Sequence, residues 1–430
     1  MYRLLYKALP LLVLAITIFS VQQWVDITVT STFISWALDF LVIFIILKFK
    51  FHINSRIAEQ YLSAIDARLL LFYFIWLLFN SIRGAFIAEN YWEYKQLITG
   101  MLSLSLPVFV YIYSVPSILN ATLKYWFKYA FVIFIVIIPF LGTDAYHFYL
   151  GPIFLAGCFI PILPKKWKII IGGLLIIMLF IDFGARSQII KSAVVLLIAV
   201  GICFRKIIPN VILQVVHWAC YILPVVLLYL GISGKFNVFE DMASNEGKYT
   251  QTKIVDGEVV EEDLSADTRT FIYEEVITSA VTHGYAIWGR TPARGNDSMA
   301  FGAFTSEELK TGKYERHSNE LCHTNVFTWL GLIGVILYSL IYLRSSYLAV
   351  YKSNSIYLKF IGCFIAFRWA YGWIEDFNNF SIMNISLWMI ITIGLSRDFR
   401  GMTNSDFQNF IKNIFTKNEK NFMAVQRKIR

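Results

Sequence analysis

Long apolar runs separated by short polar breaks organise almost the whole chain. Runs near 4–21, 27–47, 69–87, 97–115, 124–142, 148–163, 169–183, 188–204, 211–230, 324–343, 357–374 and 382–395 have the length and composition of membrane-spanning helices. In a bilayer only internally hydrogen-bonded segments cross, so an all-α integral membrane fold with about 12 transmembrane helices is expected. The pattern lapses over 231–323, which lies between the ninth and tenth runs and is polar and acidic. The chain therefore divides into 1–230 with nine spans, a large loop at 231–323, three spans over 324–395 and a basic tail at 396–430.

The loop has its own pattern. Residues 244–265 are polar and suit a flexible stretch or a hairpin about Asp256–Gly257. Residues 267–281 predict a helix capped by Ser265 or Asp267, with Ile272, Val276 and Ala280 on one face. Glycines at 284, 289, 295, 302 and 312, with Pro292, then break the chain into turns. A structured loop of this length is usually functional.

Composition agrees with the pattern. Hydrophobic residues make up 57% and charged residues 16% of the 430-residue chain, far from the balance of a soluble domain. The net charge of +9 is unevenly distributed: the 231–323 loop holds nine Lys/Arg against sixteen Asp/Glu, so the remainder carries about +16. That charge sits in alternate short loops, at Lys48, Lys50, Arg56 and Arg68, at Lys124 and Lys128, at Lys165, Lys166 and Lys168, at Arg205 and Lys206, at Arg344, Lys352 and Lys359, and in the tail. The intervening loops Gln22–Asp26, Gly142–His147 and Glu375–Phe380 are poor in Lys/Arg. This distribution orients a membrane protein with both termini cytoplasmic and the large loop outside; it is not a nucleic-acid-binding stripe. Arg3 and Lys7 before the first apolar run, without a cleavage signature, read as a retained first span. The five cysteines imply neither a disulfide framework nor a metal site.

Basic residues on the outer side run against the orientation rule and are the more informative for it. Arg186, beside Asp182, opens the eighth span; Arg269 starts the loop helix; Arg290, Arg294, Arg316, His317 and His323 follow. Arginines bind phosphate oxygens in pairs, and a lipid diphosphate head group would lie at this depth. A histidine there could take the proton of an attacking hydroxyl. Each residue also has a structural alternative: Arg186 can pair with Asp182, Arg269 with Tyr273, and either histidine can be a surface group. Two charges fall inside spans, Asp39 and Arg368, and must face a polar interior. Arg368 can reach Glu375 two turns on; Asp39 and Arg83 are further candidates for pairing.

Three stretches resemble the O-antigen polymerases and O-antigen ligases of bacterial envelopes: Gly184–Ala185–Arg186–Ser187 opening a span; Asp267–Thr268–Arg269 with Phe271 and Tyr273; and His323–Thr324–Asn325 leading into Trp329–Leu330–Gly331–Leu332–Ile333–Gly334. Thr324 replaces the commoner Asn, His317–Ser318–Asn319 competes for the same motif, and Arg290 stands where a second Gly often occurs. The resemblance implies a glycosyltransferase of the bacterial inner membrane, inverting and metal-independent, without a cofactor. It would transfer oligosaccharide from an undecaprenyl-diphosphate carrier to a sugar hydroxyl on the periplasmic face. Arg269 and His323 would be catalytic, with Arg186, Arg290, Arg294, Arg316 and His317 binding substrate and Asp39, Arg368 and Glu375 lining a polar cavity. A polymerase for O-antigen or capsule is the first expectation and a ligase, with a lipid-linked or other glycan acceptor, the alternative; other polysaccharide-assembly proteins would be partners. A polysaccharide flippase or other secondary transporter, with Asp39 and Arg368 as coupling charges, is the alternative from another class.

Overall fold

The structure, a computed structural model, describes residues 2–21, 31–52, 59–142, 145–180, 186–233, 250–255, 258–263, 269–309 and 311–416. Its principal helices are α1 Tyr2–Phe19, α2 Thr32–His52, α3 Ala64–Ile87, α4 Tyr91–Leu104, α5 Pro116–Ile137, α6 Gly151–Gly157, α7 Lys165–Phe180, α8 Arg186–Cys203 and α9 Asn210–Ile232. Two short helices, α10 Thr270–Thr282 and α11 Gly302–Leu309, lie in the loop region and precede α12 Cys322–Lys352, α13 Ile356–Tyr371, α14 Ile382–Leu395 and α15 Asn404–Phe415. Among the described residues seven helical stretches are long and apolar enough to cross a membrane, and α14 and Ala8–Phe19 are shorter apolar helices. The protein is an all-α, multi-pass membrane fold.

The core forms where helices meet, and the outward faces stay apolar. α12 packs on α13, α3 and α14, and α13 also packs on α9. Every residue of α14 is buried, so this helix is a central post rather than a lipid-facing span. By contrast Phe44, Phe72, Phe86, Leu197 and Val215 are exposed large hydrophobics, as suits a surface solvated by lipid. The apolar run at 148–163 is not one helix. Pro152 and Pro161, with Gly151 and Gly157 against their neighbours, divide it into α6 and a short 3-10 turn at Ile160–Ile162 inside the bundle.

In the loop, strands β1 Thr250–Val255 and β2 Glu258–Asp263 pair antiparallel with Val255 opposite Glu258, as a hairpin about 256–257 requires. The expected caps Ser265 and Asp267 lie outside the described residues. α10 buries Ile272, Val276 and Ala280 along the face that their spacing marks.

The tenth apolar run departs most from the sequence expectation. Instead of a plain span over 324–343, α12 is broken at Gly331, whose φ of 67° and ψ of −172° no helix contains. Five bonds heal the break. The Arg290 and Thr291 amides donate to the Thr328 and Trp329 carbonyls (2.7 and 3.2 Å), and the Leu332 and Ile333 amides donate to Ala286 and Ile287 (2.9 and 3.5 Å). Trp76 Nε1 on α3 donates to the Leu330 carbonyl at 2.9 Å. A segment of the loop, 285–291, thus threads against the interrupted helix and takes up its free backbone groups. Gly331 has no room for a side chain: a Cβ there would lie 2.2 Å from the Ile287 carbonyl oxygen. Gly331→Ala should therefore cost about 2 kcal/mol or more, from the left-handed backbone and the clash together. Gly401→Ala, in open space, should leave the melting temperature in detergent unchanged.

Candidate functional site

The outer polar residues fall into two groups. The first is a network within the loop. The two-residue strands β3 Asn296–Asp297 and β4 Glu315–Arg316 pair antiparallel and bring Glu315 beside two arginines. Arg294 holds both oxygens of Glu315, while Arg290 reaches Glu315 at 3.0 Å and Asp297 at 2.8 Å. The Glu315 carboxyl would be raised by burial, but hydrogen bonds from Arg294 and the charges of both arginines bring it below its ordinary value. Arg316 pairs with Glu320 (3.3 Å) and stacks over Phe301. Lys313 bridges Glu89 and the buried Glu93 at the start of α4. Arg290, Arg294 and Arg316, expected to bind substrate, are thus engaged with acids of the loop itself. His317 is also structural in its contacts: its carbonyl accepts from Gln96 and Trp329, and burial lowers the pKa of its ring.

The second group surrounds the turn that follows α13. Arg368, in the last turn of α13, donates through Nη1 to Glu375 Oε2 at 3.0 Å, which is the pairing that their spacing suggests. The other oxygen of Glu375 accepts from Lys191 Nζ and Ser187 Oγ, both on α8. Lys191 and Arg368 are each 3% exposed. Burial alone would raise the Glu375 carboxyl; the charges of Lys191 and Arg368, with hydrogen bonds from Lys191 and Ser187, hold it at about 2 instead. Two buried cations therefore share one carboxylate. Arg269, the N-cap residue of α10, donates from Nε to the Ile374 carbonyl at 3.0 Å. The Tyr371 hydroxyl lies within electrostatic reach of Arg269, Arg368 and Glu375. Arg186 begins α8, one residue before Ser187, and Asp182, its expected partner, lies outside the described residues.

The same turn fixes α12. Its first amides, which a helix leaves without internal partners, are satisfied here. Cys322 N donates to the Glu375 carbonyl at 3.1 Å and His323 N to the Gly372 carbonyl at 3.3 Å. His323 is not a surface group. It is 1% exposed, its ring packs on Trp369 and Trp373 with centroids 5.3 and 4.6 Å away, and Nε2 bonds the Trp369 carbonyl at 2.9 Å. A carbonyl only accepts, so Nε2 carries the proton of the neutral ring and Nδ1 keeps its lone pair. Nδ1 has no hydrogen-bond partner among the described residues. Asp376, the residue after Glu375 in the turn, is pushed up to about 6 by burial, against hydrogen bonds from Asn378 and Asn325.

Lys191 carries no weight in the sequence reading, yet it is central. The available signal was a lysine inside an apolar run, which a bilayer tolerates only with a partner. Asp39 is buried in α2, but Arg83 does not pair with it; Arg83 binds Asn80 and the carbonyls of Trp288 and Gly289. A void of about 20 Å³, the size of one water, touches Lys191 and Arg368. A larger groove of about 580 Å³ along α9 is mostly apolar and is lined by neither Lys191 nor Arg368.

No known protein family, no curated protein and no solved structure matches the chain.

Two measurements test the charge balance. Glu375→Gln leaves two buried cations unpaired and should cost about 3–5 kcal/mol. Lys191→Met leaves Arg368 paired with Glu375 and should lower the melting temperature less. Asp376 contributes stability that is present below pH 3.8 and lost as pH rises through about 6. Asp376→Asn should therefore flatten the dependence of melting temperature on pH between 4 and 7.

Proposed function

We propose that the chain is a glycosyltransferase of the O-antigen polymerase and ligase kind, using an undecaprenyl-diphosphate-linked oligosaccharide as donor. One observation carries this reading: Lys191 and Arg368 converge on the one carboxylate of Glu375, and Arg269 is bound to the neighbouring Ile374 carbonyl, a cluster of cationic side chains suited to a diphosphate. The motif resemblance at Arg186, Arg269 and His323 supports it independently, since all three stretches adjoin this turn or the elements that pack on it.

In this mechanism Arg269 and Arg186 hold the diphosphate, with Lys191 and Arg368 behind them maintaining the positive field. An acceptor hydroxyl attacks the anomeric carbon from the face opposite the diphosphate. The carbon–oxygen bond to the carrier breaks, its electron pair leaves on the diphosphate, and the configuration inverts. Nδ1 of His323 accepts the hydroxyl proton. Guanidinium groups stabilise the charge on the leaving diphosphate without a metal ion. His323 is enclosed by Trp369 and Trp373, so acceptor entry requires the Trp373 turn to yield.

The proposed setting is the bacterial inner membrane, with about 12 spans, cytoplasmic termini and the 231–323 loop in the periplasm. Polymerisation of repeat units for O-antigen or capsule is the first reading, and ligation to lipid A-core the alternative.

The test uses purified protein in proteoliposomes with a fluorescent undecaprenyl-diphosphate oligosaccharide and a chelator. Wild type should form a new glycosidic bond, and Arg269→Ala and His323→Ala should each lose about 100-fold or more in rate. Wild-type rates in either variant remove that residue from the mechanism. Movement of lipid across the bilayer without bond formation would overturn the enzyme reading in favour of a transporter. Ladders of product indicate a polymerase, and single transfer to lipid A-core a ligase.

A further inference from the structure

The segment that heals the break in α12 carries two large side chains that point away from the protein. Ile287 is 55% and Trp288 51% exposed. They do not stand alone. The Trp288 ring packs on Trp76 and Phe79 of α3 with centroids 5.5 and 6.4 Å away. The outer face of α3 continues the patch with Phe79, Ile82 and Phe86, which are 43%, 51% and 87% exposed. From these contacts we infer that the segment 285–291 is a re-entrant wedge, and that Ile287 and Trp288 contact the acyl chains of the outer leaflet.

Depth argues for this. Asp66 near the start of α3 pairs with Arg344 of α12 at 2.7 Å, within electrostatic reach of Arg400 at one end of the bundle. At 1.5 Å per helical residue, Trp76 stands roughly 15 Å from that charged plane along α3, and Gly331 roughly 20 Å from it along α12. The hydrocarbon core is about 30 Å thick. Tilt of either helix only deepens the position. The break and the segment beside it therefore lie inside the core, short of its outer edge.

Much of the backbone of this segment meets the condition that such a position imposes. Irregular chain at membrane depth survives only where its polar groups are paired. Here the amides of Gly289, Arg290 and Thr291 donate to Tyr285, Thr328 and Trp329, and the carbonyls of Ala286 and Ile287 accept from Leu332 and Ile333. The Trp288 and Gly289 carbonyls accept from Arg83 at 3.1 and 3.4 Å, which brings a guanidinium down from the outer end of α3. These paired groups face protein, and the two large apolar side chains are half-exposed on the other side. An aqueous loop has no need of that division.

The experiment places a spin label on Ile287→Cys in the full-length protein, in a Cys203→Ser, Cys220→Ser background reconstituted into liposomes. The expected label collides more with oxygen than with a water-soluble nickel chelate. A label on Met299→Cys, at a loop position 95% exposed, should show the reverse. Equal access of the nickel reagent to both labels overturns the inference. The second measurement avoids labelling. Lipids brominated in mid-chain should quench less of the total tryptophan fluorescence in Trp288→Phe than in wild type, and an unchanged quenched fraction also overturns it.

Discussion

Glu375 is the residue on which the loop end of the bundle depends. Its carboxylate joins α8 to α13 through Lys191 and Arg368, and its carbonyl takes the first amide of α12. Three helices are thereby fixed to one turn. Charges buried this deeply are costly without partners. The arrangement is tolerable because each oxygen of the carboxylate has a cation and the pairing closes in one place. It leaves one positive charge over.

Much of the fold was legible because lipid is a demanding solvent. Run length identified helices, and the spacing of Ile272, Val276 and Ala280 identified the buried face of α10. The pairing of Arg368 with Glu375 followed from helical spacing and the cost of an unpaired intramembrane charge. What stayed hidden depends on contacts between distant segments. The healing of α12 joins residues 286–291 to 328–333, and no local pattern announces it. Gly331 within an apolar run reads equally well as a packing glycine; only its positive φ shows that the helix stops there.

The candidate site was legible as a list of residue types and not as a grouping. Arg290, Arg294 and Arg269 look alike in sequence, as outer arginines near an acidic loop. Their difference lies in which carboxylates the fold delivers. The β3–β4 pairing sets Glu315 against Arg290 and Arg294, and Asp297 against Arg290, so that two acids balance two arginines. Arg269 is instead tied to the turn after α13, donating from Nε to the Ile374 carbonyl. Lys191 escaped notice for a related reason: its partner lies far along the chain, and a lysine one turn inside a span can be mistaken for an interfacial one.

His323 shows how burial and chemistry can be reconciled. An imidazole enclosed by two tryptophans looks like a packing residue. Yet the Trp369 carbonyl can only accept, so it fixes the proton on Nε2 and leaves Nδ1 as the basic atom of a neutral ring. That is the state a general base requires at neutral pH. The ring packs on Trp373 of the same turn that carries Glu375, so movement of the turn would act on His323 and on the Lys191–Glu375–Arg368 cluster together. Gly372 is the point of closest approach, since a Cβ there would meet His323 Nε2 at 2.9 Å. The turn is thus packed directly on the ring it orients, and a shift of one cannot leave the other where it was.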